Sequence, residues 1–138
     1  MKDIVVHPTV VLADDHARVL VRVTRILSPA YNVIATVEDG WKAVQSIATF
    51  LPDVAVLDIS MPRLDGLEAA RELRQMRCRT SIVFLTVHED EDYITAALAA
   101  GAKGYVVKSR LQFDLVRAIE DALVGRIFVS SQRPTSGR

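Results

Sequence analysis

Short runs of consecutive apolar residues alternate along this chain with stretches where apolar residues recur every three or four positions. The runs are 9–13, 31–37, 53–57, 81–86 and 104–107. Unbroken apolar runs of this length, rich in Val and Ile, predict strands buried on both faces. Between them the spacing predicts five helices. The first runs from Ala17 to about Leu27 with Val19, Leu20, Val23 and Ile26 inward, Asp14 or Asp15 as N-cap, and Ser28-Pro29 as its stop. The second is capped by Asp39, carries Trp41, Val44, Ile47 and Ala48 on one face, and ends at Leu51-Pro52. The third follows an Asp65-Gly66 turn and buries Leu67, Ala70, Leu73 and Met76. A fourth, made of small residues, opens on the acidic run 89–92 and closes at Gly101, a residue suited to a left-handed cap. The fifth, 111–124, turns Leu115, Ala118, Ile119 and Ala122 inward. Strands alternating with helices mean right-handed βα units and a five-stranded parallel sheet, an α/β doubly wound fold with helices on both faces. The domain is expected over 8–128, with 129–138 as a linker or frayed tail.

Composition narrows the setting. A chain of 138 residues, half of them hydrophobic, fits one domain with a proper core. Seventeen basic residues balance seventeen acidic ones, so no general field draws the chain to nucleic acid or an anionic membrane. The arginines at 71, 74, 77 and 79 read as a solvated helix face rather than a binding patch. One cysteine, Cys78, cannot close an internal disulfide and suits a reducing compartment. The chain shows no signal-like start and no apolar run long enough to span a bilayer, so a soluble cytoplasmic domain without membrane contact is expected.

Chemistry collects at the carboxyl ends of the expected strands: Asp14 and Asp15 after the first, Asp58 after the third, Thr86 on the fourth and Lys108 after the fifth. Parallel strands point these ends to one rim, where open α/β sheets place their sites. On position alone Asp58 serves equally as a loop cap, and each of the others has a comparable structural role. Together they require several coincidences at one edge. Two carboxylates about 4 Å apart repel by roughly 4 kcal/mol at an effective dielectric near 20, so clustered acids invite a cation. An oxygen-only set favours Mg²⁺ or Mn²⁺ over zinc. An Asp beside such an ion can attack a phosphoryl group, with a lysine and a hydroxyl to quiet the transferring oxygens.

The ordered set Asp14-Asp15, Asp58 with Met61-Pro62 and Asp65-Gly66, Thr86, Tyr105 and Lys108 resembles the receiver domain of bacterial two-component response regulators. The resemblance implies a flavodoxin-like sheet of order 2-1-3-4-5. It implies phosphorylation of Asp58 by a sensor histidine kinase, and Mg²⁺ held by Asp15, Asp58 and the Ser60 backbone carbonyl, with Asp14 acting nearby. It also implies a switch in which Thr86 moves toward the phosphoryl oxygens and Tyr105 turns inward. The face of helix 4, strand 5 and helix 5 would then control an output partner or a phosphorylation-dependent dimer. Such a domain is a signalling acceptor rather than an enzyme. The stretches 101–105 and 125–131 look most like receivers that precede a LuxR-type helix-turn-helix. No DNA-binding module lies in these residues, so DNA would be reached only through an absent effector domain, and the chain is either a truncated regulator or a stand-alone receiver.

Three positions depart from the family pattern or tune it. Ser109 follows Lys108 where many receivers carry proline, which leaves the conformation of that loop open. Ser60 and His88 lie two residues beyond Asp58 and Thr86, positions that border the entry path of attacking water in receivers and so can set the phosphate lifetime. His88 reads equally as an exposed loop histidine. His7 and His16 have no evident metal-ligating partners and are assigned no role. A flavin binder of the same architecture would need a phosphate-cradling loop after the first strand, where this chain has two acids. A phosphatase with an Asp nucleophile would carry a second Asp at position 60. A docking module that no longer takes phosphate is the remaining alternative.

Overall fold

The computed structural model describes residues 6–130. All five expected strands form: β1 (Thr9–Ala13), β2 (Asn32–Val37), β3 (Val54–Leu57), β4 (Ser81–Thr86) and β5 (Gly104–Val107). So do the five helices: α1 (Ala17–Leu27), α2 (Gly40–Phe50), α3 (Gly66–Gln75), α4 (Glu91–Ala99) and α5 (Leu111–Leu123). A sixth strand, β6 (Phe128–Val129), adds to the edge, and the sheet order is 2-1-3-4-5-6, all parallel. The expectation of five strands is corrected on this point. Two residues are too few to show a period in the sequence, and β6 forms because the β5 edge supplies its partners. The boundary expected after residue 128 therefore falls inside β6. Ser130 is buried, and the expected tail at 131–138 lies outside the described residues.

Successive strand residues face opposite sides of the sheet, and each side has its own core. Val11, Ala13, Ala55, Leu57, Phe84 and Tyr105 pack toward α2, α3 and α4. Val10, Leu12, Val54, Val56, Val83, Leu85 and Val106 pack toward α1 and α5. Burial on both sides accounts for the unbroken apolar strands.

Three expected helix details differ. The N-cap of α1 is His16, with no side-chain cap bond, because the Asp14 carboxylate is turned into the strand-end cluster described below. Trp41 is half exposed: it stands on the first turn of α2 beside the β3–α3 loop, where Arg63 lies 5.3 Å over its ring. Met76 is exposed as well, being the C-cap of α3 beyond the covered part of the sheet. Of the four arginines on and after α3, Arg74 does more than face solvent. Its guanidinium donates to the Ala99 carbonyl at 2.7 Å, satisfying an end carbonyl of α4. Gly101 closes α4 at φ +100°, the left-handed position expected of it.

Candidate functional site

Ladder bonds deliver the acids to the rim. Beyond β1 the Asp14 N–H donates to Val37, and beyond β3 the Asp58 N–H donates to Ala13, so both aspartates leave the sheet in fixed directions. The β3–α3 loop is then drawn back over the site. Gly66 N–H donates to the Ile59 carbonyl at 2.7 Å, and a Cβ at Gly66 would strike the carbonyl oxygen of Asp58, so only glycine permits this approach. Asp65 and Glu68 form a capping box that starts α3 at this point. All peptide bonds among the described residues are trans, and Lys108 opens a 3-10 turn, Lys108–Arg110, that leads into α5.

Four of the predicted residues meet: Asp14, Asp15, Asp58 and Lys108. Lys108 Nζ lies 2.8 Å from Asp14 Oδ2 and 3.0 Å from Asp58 Oδ2, and all three side chains are largely buried. Asp58 Oδ1 is buried with no hydrogen-bond partner among the described residues. Burial pushes the Asp58 carboxyl up, Lys108 opposes that, Asp14 adds to it, and the net shift is upward. Burial works against the Lys108 ammonium, but its bonds to Asp14 and Asp58 outweigh this and raise it. Asp14, Asp15, His16 and Asp58 each offer an atom within 4.8 Å of the others. A buried, unpaired carboxylate oxygen among further acids is the environment a divalent cation relieves, so these residues fit the expected ion.

His16, to which the sequence assigns no metal-like partners, stands within the acid cluster. Its Nδ1 lies 3.1 Å from Asp14 and 3.2 Å from Asp15, and its backbone N–H donates to Asp14. Its position directly after two acids, at a helix start, was the available signal. His88 is likewise more than a loop histidine. Its Nε2 is 2.8 Å from Ser60 Oγ, its backbone N–H donates to Thr86 Oγ1 at 3.3 Å, and its ring stacks on Tyr93 with centroids 4.0 Å apart. Tyr105 is fully inside and its hydroxyl donates to the His88 carbonyl at 2.8 Å; burial raises its pKa well above the usual phenol value. Thr86, Tyr105 and Ser60 thus converge on one residue, His88, which joins the end of β4 to α4. Tyr93 carries no signal of its own in the sequence. It directly follows the acidic run 89–92, as the third residue of α4, and those charges mask it.

Comparison with known proteins adds the family. The model of the response regulator receiver domain matches residues 10–120. The chain is 36% identical to the transcriptional regulatory protein DegU of Brevibacillus brevis over 87% of its own length and 52% of that protein's. The signal receiver domain of the response regulator NarL from Mycobacterium tuberculosis superposes with a TM-score of 0.83 at 34% identity, over 87% of this chain and 98% of that one. A LuxR-family two-component response regulator from Aurantimonas gives 0.84 at 34%, over 89% of each chain. The chain spans about half the length of the DegU relative and 60% of a second relative, the oxygen regulatory protein NreC of Staphylococcus epidermidis. With the strand-end acids, the lysine and the parallel sheet in place, the chain belongs to the response regulator receiver domain family, and among its members it is similar to the receivers of LuxR-family regulators.

Proposed function

We propose that Asp58 accepts a phosphoryl group from the phosphohistidine of a sensor kinase, and that the α4–β5–α5 face reports the event to an output partner or a second copy of the chain. The observation that carries this reading is Asp58 itself: one oxygen held by Lys108, the other buried and unpaired, with two further aspartates alongside. Asp58 attacks phosphorus through its carboxylate while the bond to the donor nitrogen breaks. Lys108, already seated against Asp58, would steady a transferring oxygen, and the Thr86 hydroxyl at the end of β4 would donate to another. Asp15, Asp58 and the Ser60 carbonyl would hold Mg²⁺, or Mn²⁺ in its place, with Asp14 beside it. When bound, the ion supplies charge neutralisation at the phosphoryl oxygens.

Phosphorylation changes Asp58 from a single negative charge to about −1.5 to −2 with new acceptor oxygens. A Thr86 drawn toward those oxygens would give up the His88 N–H, and the loop carrying His88, with Tyr93 stacked on it and Tyr105 bonded to it, would pass that shift to α4. Such a switch is a local charge event biasing a two-state element. Ser60 and His88, bonded across the mouth of the site, would govern how readily water reaches the acyl phosphate. No described helix is long and apolar enough to cross a membrane, and we place the protein in the cytoplasm. It acts there as a signalling acceptor rather than a turnover enzyme. Transcriptional control, the activity in the DegU relative's name, is the output we propose it to serve, with DNA contacted by an effector module and not by these residues.

The test is intact-protein mass after incubation with acetyl phosphate, with and without Mg²⁺, on wild type and Asp58→Asn. The expected result is one added phosphoryl group, absent without metal and absent in the variant. An adduct that persists in Asp58→Asn would place the acceptor elsewhere. No adduct and no metal binding would leave a docking module.

A further inference from the structure

Asp114 on α5 is buried and charged, yet it lies outside the acid cluster and takes no part in the chemistry above. Its carboxylate is fully engaged. Arg110 Nε reaches Oδ2 at 2.8 Å and Arg110 Nη2 reaches Oδ1 at 3.2 Å, a two-pronged pairing with directional preference. The Ser130 hydroxyl donates to Oδ2 at 2.8 Å. The same hydroxyl accepts the Val107 N–H at 3.1 Å, while the Ser130 N–H donates to the Tyr105 carbonyl at 2.8 Å. Ser130 thereby extends the β5–β6 ladder one rung with its side chain. Phe128 in β6 is held in turn under the Arg117 guanidinium, 5.7 Å above its ring.

The two residues pinned by this arrangement, Val107 and Arg110, bracket Lys108. One is the last residue of β5 and the other the last of the 3-10 turn that Lys108 opens. Lys108 has a long, flexible side chain, and its ammonium must meet two carboxylates across the rim within hydrogen-bond distance. Fixing the backbone on both sides of it is a direct way to fix that reach. We propose that Asp114, with Arg110 and Ser130, is a positioning cluster that sets Lys108 for phosphoryl transfer at Asp58. The proposal rests on the reading of Asp58 as the acceptor. It assigns the chain after α5 a part in the reaction: withdrawing β6 removes Ser130 from Val107 and loosens the lysine.

The experiment follows the rate of phosphorylation of the full chain by acetyl phosphate with Mg²⁺, over a range of donor concentrations, in wild type, Ser130→Ala, Ser130→Thr and Arg110→Gln. Denaturation curves establish that each variant is native under assay conditions. Ser130→Ala is expected to lower the maximal rate on the order of tenfold, as for small misplacements of a reacting group. The half-saturating donor concentration should stay unchanged, since donor binding is untouched. Ser130→Thr keeps a hydroxyl and should restore the rate, which a loss of packing alone would not do. Arg110→Gln should slow the reaction to a smaller degree. Wild-type rates in both Ser130→Ala and Arg110→Gln would overturn the positioning role while leaving Asp58 as acceptor. If Ser130→Ala fails to fold, the exposed Arg110→Gln decides alone. A wild-type chain that takes no phosphoryl group would instead overturn the reading of the site, and the positioning role with it.

Discussion

At the scale of single residues, Asp58 is held at a cost to the fold. Its carboxyl is pushed up by burial and by Asp14, against the pull of Lys108, so the folded state favours its neutral form. The resulting penalty is present wherever Asp58 is ionised, above its raised folded pKa. It disappears as the pH falls below the ordinary carboxylate value. Asp58→Asn, which is neutral at every pH, should therefore raise the denaturation midpoint at pH 7, and its advantage over wild type should shrink toward pH 4. Urea titrations of the two proteins across that range would check it; an advantage that grows on acidification would refute the argument. The meeting of Asp58, its acidic neighbours and Lys108 at one rim was legible in the sequence because each directly ends or follows a buried apolar run, a purely local signal. His16 was not, because its role depends on Asp14 turning away from the helix it was expected to cap. The Asp114–Ser130 bond was equally hidden, since it joins residues sixteen positions apart through a strand too short to read.

At the scale of elements, the third helix begins where the loop carrying Asp58 ends. The capping box of Asp65 and Glu68 anchors both, with the Glu68 N–H on Asp65 Oδ1 at 2.8 Å. Asp65→Ala should cost about 0.5–2 kcal/mol of stability, measured by chemical denaturation. Because Gly66 at the first turn lies against Asp58, the same change should also slow acetyl phosphate-driven phosphorylation. A stability loss with an unchanged rate would mean that the loop keeps its shape without the cap. Helix positions were predicted well where apolar spacing falls over the sheet, as with Leu67, Ala70 and Leu73. They failed at helix ends, where Trp41 and Met76 keep the spacing but have no sheet beneath them. On the fourth helix itself Ala97 is the buried residue. Ile94 and Ala96 pack only partly buried against the core, and its other attachments are polar or aromatic: Arg74 on the Ala99 carbonyl and Tyr93 on His88. Bonds of that kind can be exchanged without opening a packed core, which suits an element that changes its contacts.

For the whole molecule, the two cores on either side of the sheet supply rigidity, and the rim is left with unbalanced charge. Occupation of the acid cluster should therefore stabilise the entire domain. Mg²⁺ at about one hundred times its Kd is expected to add about 2.7 kcal/mol to wild type if it binds only the folded state. Asp58→Asn should gain less, and equal gains in the two would show that the ion binds elsewhere. The overall topology was readable because five βα repeats leave few alternatives; the sixth strand was not. Since β6 runs parallel to β5, it delivers Ser130 to the same end of the sheet as Asp58 and Lys108. A module joined after Ser130 through a short flexible linker would start from the end of the sheet that carries Asp58. There its effective concentration would be in the millimolar range. A contact with the rim too feeble to register between separate molecules would be made for much of the time by a tethered one, and each phosphorylation event would then have a listener within reach.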